Sequence, residues 1–365
     1  MKKAVAFITV CLMIASFAAC GSNNETVSID EISNITASLA ESEDEISEAV
    51  QESSTDESEE EQDMGYPIWD GEIAGEIKNP AAPAVFKGAW YSKCVTSKDY
   101  WCGMEIVVTL PEYDINRYKS DYNESLDCDP NVKNLDNPSV YIGGNAGYES
   151  DVGLSLSLCL VGGGVSTGSV AFRPFWRYIT STDKDVGSYA DHGGKYTVSA
   201  NGNNCYANWH YSYTEYYYLP GDVLKLILTV PEEGKLQLQI KVLQASTLES
   251  SVALRNKYGW RQPADFTSPV FASPGHGASK AEFKWVMAID QSGNEGKQAI
   301  PTTTLVKNGT FNDAYLYRVI DGEIYRVPVT DDRFGSRNAP DDQHVTVVEG
   351  EDGSRTVTIH PGYTD

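Results

Sequence analysis

Arg173-Pro-Phe-Trp-Arg177 and Trp209-His-Tyr-Ser-Tyr213 are the two stretches whose side chains best suit a polar ligand. Read as a strand, the first puts Phe172, Trp176 and Tyr178 on one face and Arg173, Phe175 and Arg177 on the other. In the second, Trp209, Tyr211 and Tyr213 alternate with His210 and Ser212, so they too share a face. Sugars offer C–H faces to aromatic rings, and their hydroxyls need partners such as Arg, Asp, Asn and Gln. Trp176, Tyr178, Arg173, Arg177, Trp209, Tyr211 and Tyr213 are therefore the candidate carbohydrate-binding set. The competing reading is cross-strand packing, because aromatics favour strands anyway. Alternation also points both arginines away from Trp176 and Tyr178. A bulge at Pro174 would be needed to bring the two kinds together.

Catalytic signals are sparse. Glu105 and Glu282 lie on or beside strands, and a retaining glycosidase needs two carboxyls about 5 Å apart; solvent-facing strand glutamates are the alternative. Gly164-Val-Ser-Thr-Gly168 spells an esterase elbow, but the elbow serine precedes a helix and here a strand follows, which predicts a hairpin turn. The five histidines show no ligand spacing, and no Cys/His pattern suggests zinc. Asp127-Cys-Asp-Pro-Asn131 alternates oxygen ligands as calcium loops do, without the glycine and glutamate of a full loop. A structural calcium on Asp127, Asp129 and Asn131 and a plain polar turn both stay open. No other cofactor is expected.

The elements that must position these residues are strands. Leu154, Leu156, Leu158 and Leu160 alternate with Ser155, Ser157 and Cys159, giving one leucine face and one small-residue face that leaves room for a second sheet or a ligand. Val223–Val230 and Leu236–Val242 flank Pro231-Glu-Glu-Gly-Lys and read as a hairpin, with Leu238 and Ile240 inward and Gln237 and Gln239 outward. Asp321-Gly322-Glu323 marks a second hairpin, and Tyr206–Tyr218 reads as one strand. Many short strands, no long helical pattern and no repeat predict an all-β, antiparallel sandwich.

The ends of the chain speak to location. Lys2 and Lys3, an apolar run, and Ala18-Ala19-Cys20 have the form of a secretory signal over residues 1–19. The small residues before Cys20 resemble the lipobox of bacterial lipoproteins, with Phe17 in place of the usual leucine. That resemblance implies a lipidated, palmitate-bearing Cys20 and a cell-membrane anchor facing outward. Of the net charge of −24, about 15 negative charges fall between Gly21 and Asp63, which holds no Lys or Arg. Residues 20–64 therefore read as a lipidated cysteine followed by a disordered acidic tether able to span over ~100 Å. The acidic balance argues against nucleic acid as a partner. Beyond Cys20 five cysteines remain, of which Cys94 and Cys102 are near enough in sequence to pair.

From Trp90 to about Leu243 the segment order resembles a concanavalin A-like lectin/glucanase jelly roll. The residues carrying the likeness are Tyr141-Ile-Gly-Gly, Asp151-Val-Gly-Leu154, Phe172-Arg-Pro-Phe-Trp176 and Tyr218-Leu-Pro-Gly-Asp222. The run Glu282–Gly296 looks like the second half of a bacterial secreted family of undefined activity. The resemblance implies a jelly-roll core over about 85–290 and a C-terminal β extension over about 291–365, together forming a sandwich domain at 65–365. The Glu-x-Asp-x-x-Glu string of the glucanases of this fold is absent. The chain is thus read as a cell-surface lipoprotein binding an extracellular glycan or cell-wall polysaccharide, a binder rather than an enzyme. A glycoside hydrolase or polysaccharide lyase with an unidentified carboxylate pair, and an adhesion protein with a protein partner, are the alternatives.

Overall fold

The computed structural model describes residues 65–115, 136–161, 165–181, 184–185, 196–200, 205–209, 213–291, 296–299 and 301–362. In chain order the strands begin β1 Ala89–Thr96, β2 Trp101–Thr109, β3 Glu112–Asp114, β4 Asp136–Asn145, β5 Glu149–Val161 and β6 Val165–Ser181. They continue β7 Lys184–Asp185, β8 Tyr196–Ala200, β9 Cys205–Trp209, β10 Val223–Thr229 and β11 Lys235–Gln244. After helix α1, Glu249–Tyr258, come β12 Phe266–Thr267, β13 Phe271–Ala272, β14 Glu282–Gln291 and β15 Leu305–Ile320. The last are β16 Glu323–Pro328, β17 Phe334–Ala339, β18 Val345–Glu349 and β19 Arg355–Ile359.

Two antiparallel sheets result. The first runs β17-β1-β14-β4-β5-β6-β9-β8, with β7 on β6. The second runs β12-β11-β10-β2-β15-β19-β18, with β13 on β11 and both β3 and β16 on β15. Strand alternation explains how they pack. Leu154 and Leu156 on β5, Phe172 and Trp176 on β6, and Trp285, Met287 and Ile289 on β14 face inward from the first sheet. Met104, Ile106 and Val108 on β2, Leu224, Leu226 and Leu228 on β10, and Leu238 and Ile240 on β11 join the same core from the second sheet. The strands after Gln291 help build both sheets. β15 lies beside β2 near the middle of the second, and β17 pairs with β1 at the edge of the first.

The expected β10–β11 hairpin forms, with Leu228 opposite Leu238 and Leu226 opposite Ile240. Leu238 and Ile240 are fully buried while Gln237 and Gln239 are half-exposed. Leu238→Ala should therefore cost about 2–5 kcal/mol in urea unfolding, from lost transfer energy plus a cavity. A cost below about 0.5 kcal/mol would mean that this face does not meet the core. The β15–β16 hairpin closes through Asp321 and Gly322 with φ of 52° and 90°, the left-handed pair that an Asp-Gly turn supplies at low strain.

Three local expectations are corrected. Helix α1 has no apolar stripe to announce it, since its buried residues are Ser251 and Arg255. It is held instead by the buried Arg255–Asp222 pair at 2.6 Å and ends on Gly259 in the left-handed conformation. Tyr206–Tyr218 is not one strand: β9 stops at Trp209, and Thr214–Tyr216 form a 3-10 turn. Cys94 and Cys102 are free thiols. Cys94 faces the core from the first sheet and Cys102 belongs to the second, so closeness in sequence does not bring them together.

Candidate ligand cleft

The outer face of the first sheet carries a connected cluster of charged side chains. Register places Lys284 of β14 opposite Gly143 of β4, Gly143 opposite Asp151 of β5, and Asp151 opposite Arg177 of β6. One row along, Glu282, Asn145 and Glu149 stand side by side on β14, β4 and β5. Lys284 reaches across β4 to Asp151 at 2.5 Å and also pairs with Glu149. Glycine at position 143 permits this crossing, because a Cβ there would lie 2.7 Å from Lys284 Cε and 2.1 Å from the Ser150 carbonyl oxygen. Arg177 donates from Nε and Nη2 to Asp151 Oδ2 at 3.0 and 2.7 Å, and Lys93 of β1 donates to Glu149 at 3.2 Å.

These contacts set the protonation states. Lys284 is the main cause of the lowered pKa of Glu149, with Lys93 adding to it. Burial alone would raise Asp151, but Lys284 and Arg177 outweigh it and hold that carboxyl far below the usual range. Burial raises Glu282, and the nearby lysines only partly offset this. Two carboxylates one strand apart from β4 are thus pushed in opposite directions.

A cleft of about 490 Å³ opens over this row. Lys93, Asn145, Glu149 and Glu282 line its floor, Lys98 lies at its side, and the Pro80–Phe86 segment forms a wall. That wall is fastened down. The Phe86 ring stacks on Tyr91 at 3.9 Å, the Phe86 amide donates to the Tyr91 hydroxyl at 3.0 Å, and Arg337 Nε donates to the Pro83 carbonyl. Upstream, Arg333 grips Glu76 through two bonds of 2.6 and 3.0 Å. Behind the floor, the fully buried His276 ring occupies the place a side chain at Gly144 would take, with Cε1 only 2.6 Å from a Cβ there. Burial lowers His276 to about 4, keeping it neutral. The paired glycines of Tyr141-Ile-Gly-Gly thus admit Lys284 on one face and His276 on the other.

The residues singled out by sequence are scattered differently. Trp176 is 1% exposed and lies in the inter-sheet core, its ring 6.2 Å from that of Phe266. Arg173 is buried on the opposite face beside the Tyr217 ring, where Trp260 also packs. Arg177 shares the Arg173 face and joins the cleft network. No bulge at Pro174 reverses this: Pro174 pairs regularly with Leu154, and the β5–β6 register shifts only beyond Leu158. Ser155 is buried and accepts a bond from Asn137 Nδ2 at 2.9 Å, so its small side chain does not leave the shallow groove expected there. Tyr213 lies outside any strand and stacks on Tyr216 at 6.5 Å. Of Tyr178 and Trp209 the structure describes the strand alone, and Cys20, Tyr211, Asp127, Asp129 and Asn131 lie outside the described residues.

Glu105 points outward from the second sheet, where it accepts bonds from Tyr317 at 2.6 Å and Arg326 at 3.1 Å. It is on the opposite side of the sandwich from Glu282, so the two do not form a pair. Ser166 pairs opposite Leu160 in the β5–β6 hairpin, with no helix after it. Among the described residues no group of His, Cys, Asp and Glu is arranged to hold a metal, and no helix is long and apolar enough to cross a membrane. Glu149, Lys284 and Lys93 were missed by sequence reasoning. Their only signal was charge at outward-alternating positions of otherwise apolar strands.

No family model and no curated protein matches this chain. Among solved structures it is similar to scytalido-glutamic peptidase bound to a transition state analog inhibitor, at TM-score 0.36 and 9% identity over 77% of this chain and 100% of that one. The same peptidase with a peptide-based transition state analog matches at TM-score 0.36 and 6% identity over 76% and 100%. SCP-B, a member of the Eqolisin family of peptidases in complex with the tripeptide Ala-Ile-His, matches at TM-score 0.30 and 6% identity over 77% and 100%.

Proposed function

We propose that this chain is a lipid-anchored cell-surface protein whose jelly-roll sandwich binds extracellular carbohydrate in the cleft above Glu149 and Glu282. The observation that carries this is the cleft's lining. Its volume of about 490 Å³ suits a few sugar rings. Its floor offers carboxylate, amide and ammonium groups, several of them fixed by ion pairs, so little ordering is lost when hydroxyls bind them. Phe86 on the wall is an aromatic surface for C–H contact. The binding surface is thus moved from the Trp176 strand face to the other side of the same sheet. A glycan array with wild type and Phe86→Ala tests it. Binding by the wild type, weakened at least about tenfold in the variant, or about 1.4 kcal/mol, is the expected outcome; a wild type that binds nothing ends the carbohydrate reading. The anchor is tested separately: Cys20→Ala should move the protein out of the membrane fraction, and unchanged detergent-phase partitioning counts against lipidation.

Hydrolysis is a second reading, favoured by the opposed shifts of Glu282 and Glu149. Their strands flank β4, so their Cα atoms are about 9–10 Å apart and the two side chains stand on either side of Asn145 at the cleft floor. Glu282 would be the proton donor and Glu149 the ionised partner. Shortened chains after incubation with labelled polysaccharides, lost in Glu282→Gln, would support it; intact chains would leave a binder.

A further inference from the structure

The chain carries a net charge of −24, yet the sheet face around its cleft holds more cations than anions, although the lining itself sets Lys93 and Lys98 against Glu149 and Glu282. Lys93, Lys98, Lys284, Arg177 and Arg337 gather at or beneath it, against Glu149, Asp151 and Glu282. The pairing within this set is uneven. Lys93, Lys284 and Arg177 are engaged by Glu149 and Asp151. Lys98 is exposed at the cleft side and has no ion pair among the described residues. Glu282, half-buried beside it, has its carboxyl raised by burial, so it holds its proton to higher pH than an exposed glutamate. A concave site with excess cations concentrates anionic ligands and repels cationic ones. A neutral sugar would need no such excess.

We infer that the ligand of this cleft is an acidic polysaccharide, with a uronate carboxylate bound by Lys98 beside Glu282. This rests on the carbohydrate reading above. Because Lys98 is exposed, binding should weaken with added salt.

The test uses the full chain, wild type and Lys98→Glu, against polygalacturonate oligomers and their fully methyl-esterified form, which keeps the backbone and removes the charge. Lys98 is exposed, so the thermal midpoint of the variant should match the wild type and confirm that it is folded. The expected result is binding of the charged oligomer, at least tenfold weaker in Lys98→Glu and at least tenfold weaker after esterification. Equal binding of both oligomers, or array signals confined to neutral glycans, overturns the acid assignment and leaves the carbohydrate reading standing. If no glycan binds, both fall, including the case in which only poly-glutamate binds in a Lys98-dependent way.

Discussion

Lys284→Ala is expected to destabilise the domain by about 3–5 kcal/mol, the range for removing one partner of a buried charge network. Lys284 is 7% exposed and Asp151 3%, so water cannot replace the lost ammonium at Asp151, while Glu149, at 36%, is open to solvent. Asp151 retains Arg177 and Glu149 retains Lys93, which places the loss within that range rather than above it. Asp151→Asn in the Lys284→Ala background removes the stranded charge and should recover part of the loss. The pH dependence has a definite sign. Glu149 and Asp151 have lowered pKa values in the fold, so their contribution is present above the unfolded carboxylate range near pH 4 and is lost as pH falls further. Lys284→Ala should therefore flatten the acid limb of the stability curve. Urea unfolding from pH 7 to pH 3 measures both effects, and a loss under about 1 kcal/mol at pH 7 would show that the network is not stabilising as drawn.

Trp176→Ala should cost about 3–5 kcal/mol, as expected for truncating a core tryptophan. Its ring lies between sheets, against Phe266 and in the same cluster as Leu154 and Phe172. The same substitution should leave the affinity of the folded fraction for any cleft ligand unchanged, because β6 separates the ring from the outer face. Chemical denaturation gives the first quantity and titration at a temperature well below the midpoint gives the second. A variant of wild-type stability that no longer binds would put Trp176 in the site and break the core assignment.

The two substitutions mark where sequence reading succeeds and where it stops. Alternation at Leu154 and Leu156 and at Leu236, Leu238 and Ile240 identified side chains that face the core, because a strand's side chains have period two whatever it pairs with. The Asp-Gly hairpin was readable for the same reason: the turn's geometry is local. Alternation also separated Trp176 from Arg173 and Arg177 correctly, and the regular pairing of Pro174 upheld that separation. It could not say which face is closed. Helix α1 was illegible because one buried ion pair fixes it in place of an apolar stripe.

What this chain determines by itself is therefore strand identity, the two faces of each strand and the hairpins, since these follow from nearest-neighbour backbone geometry. Tertiary structure alone decided which face meets the other sheet and which residues share a site. Lys93, Asn145, Glu149 and Glu282 come from four strands separated by up to about 190 positions, and only the register of β1, β14, β4 and β5 aligns them. The charge at Glu149 and Asp151 is tolerated because Gly143, opposite Lys284, lets one ammonium cross a strand to reach both. That steric permission arises from long-range pairing, and no spacing within a single segment encodes it.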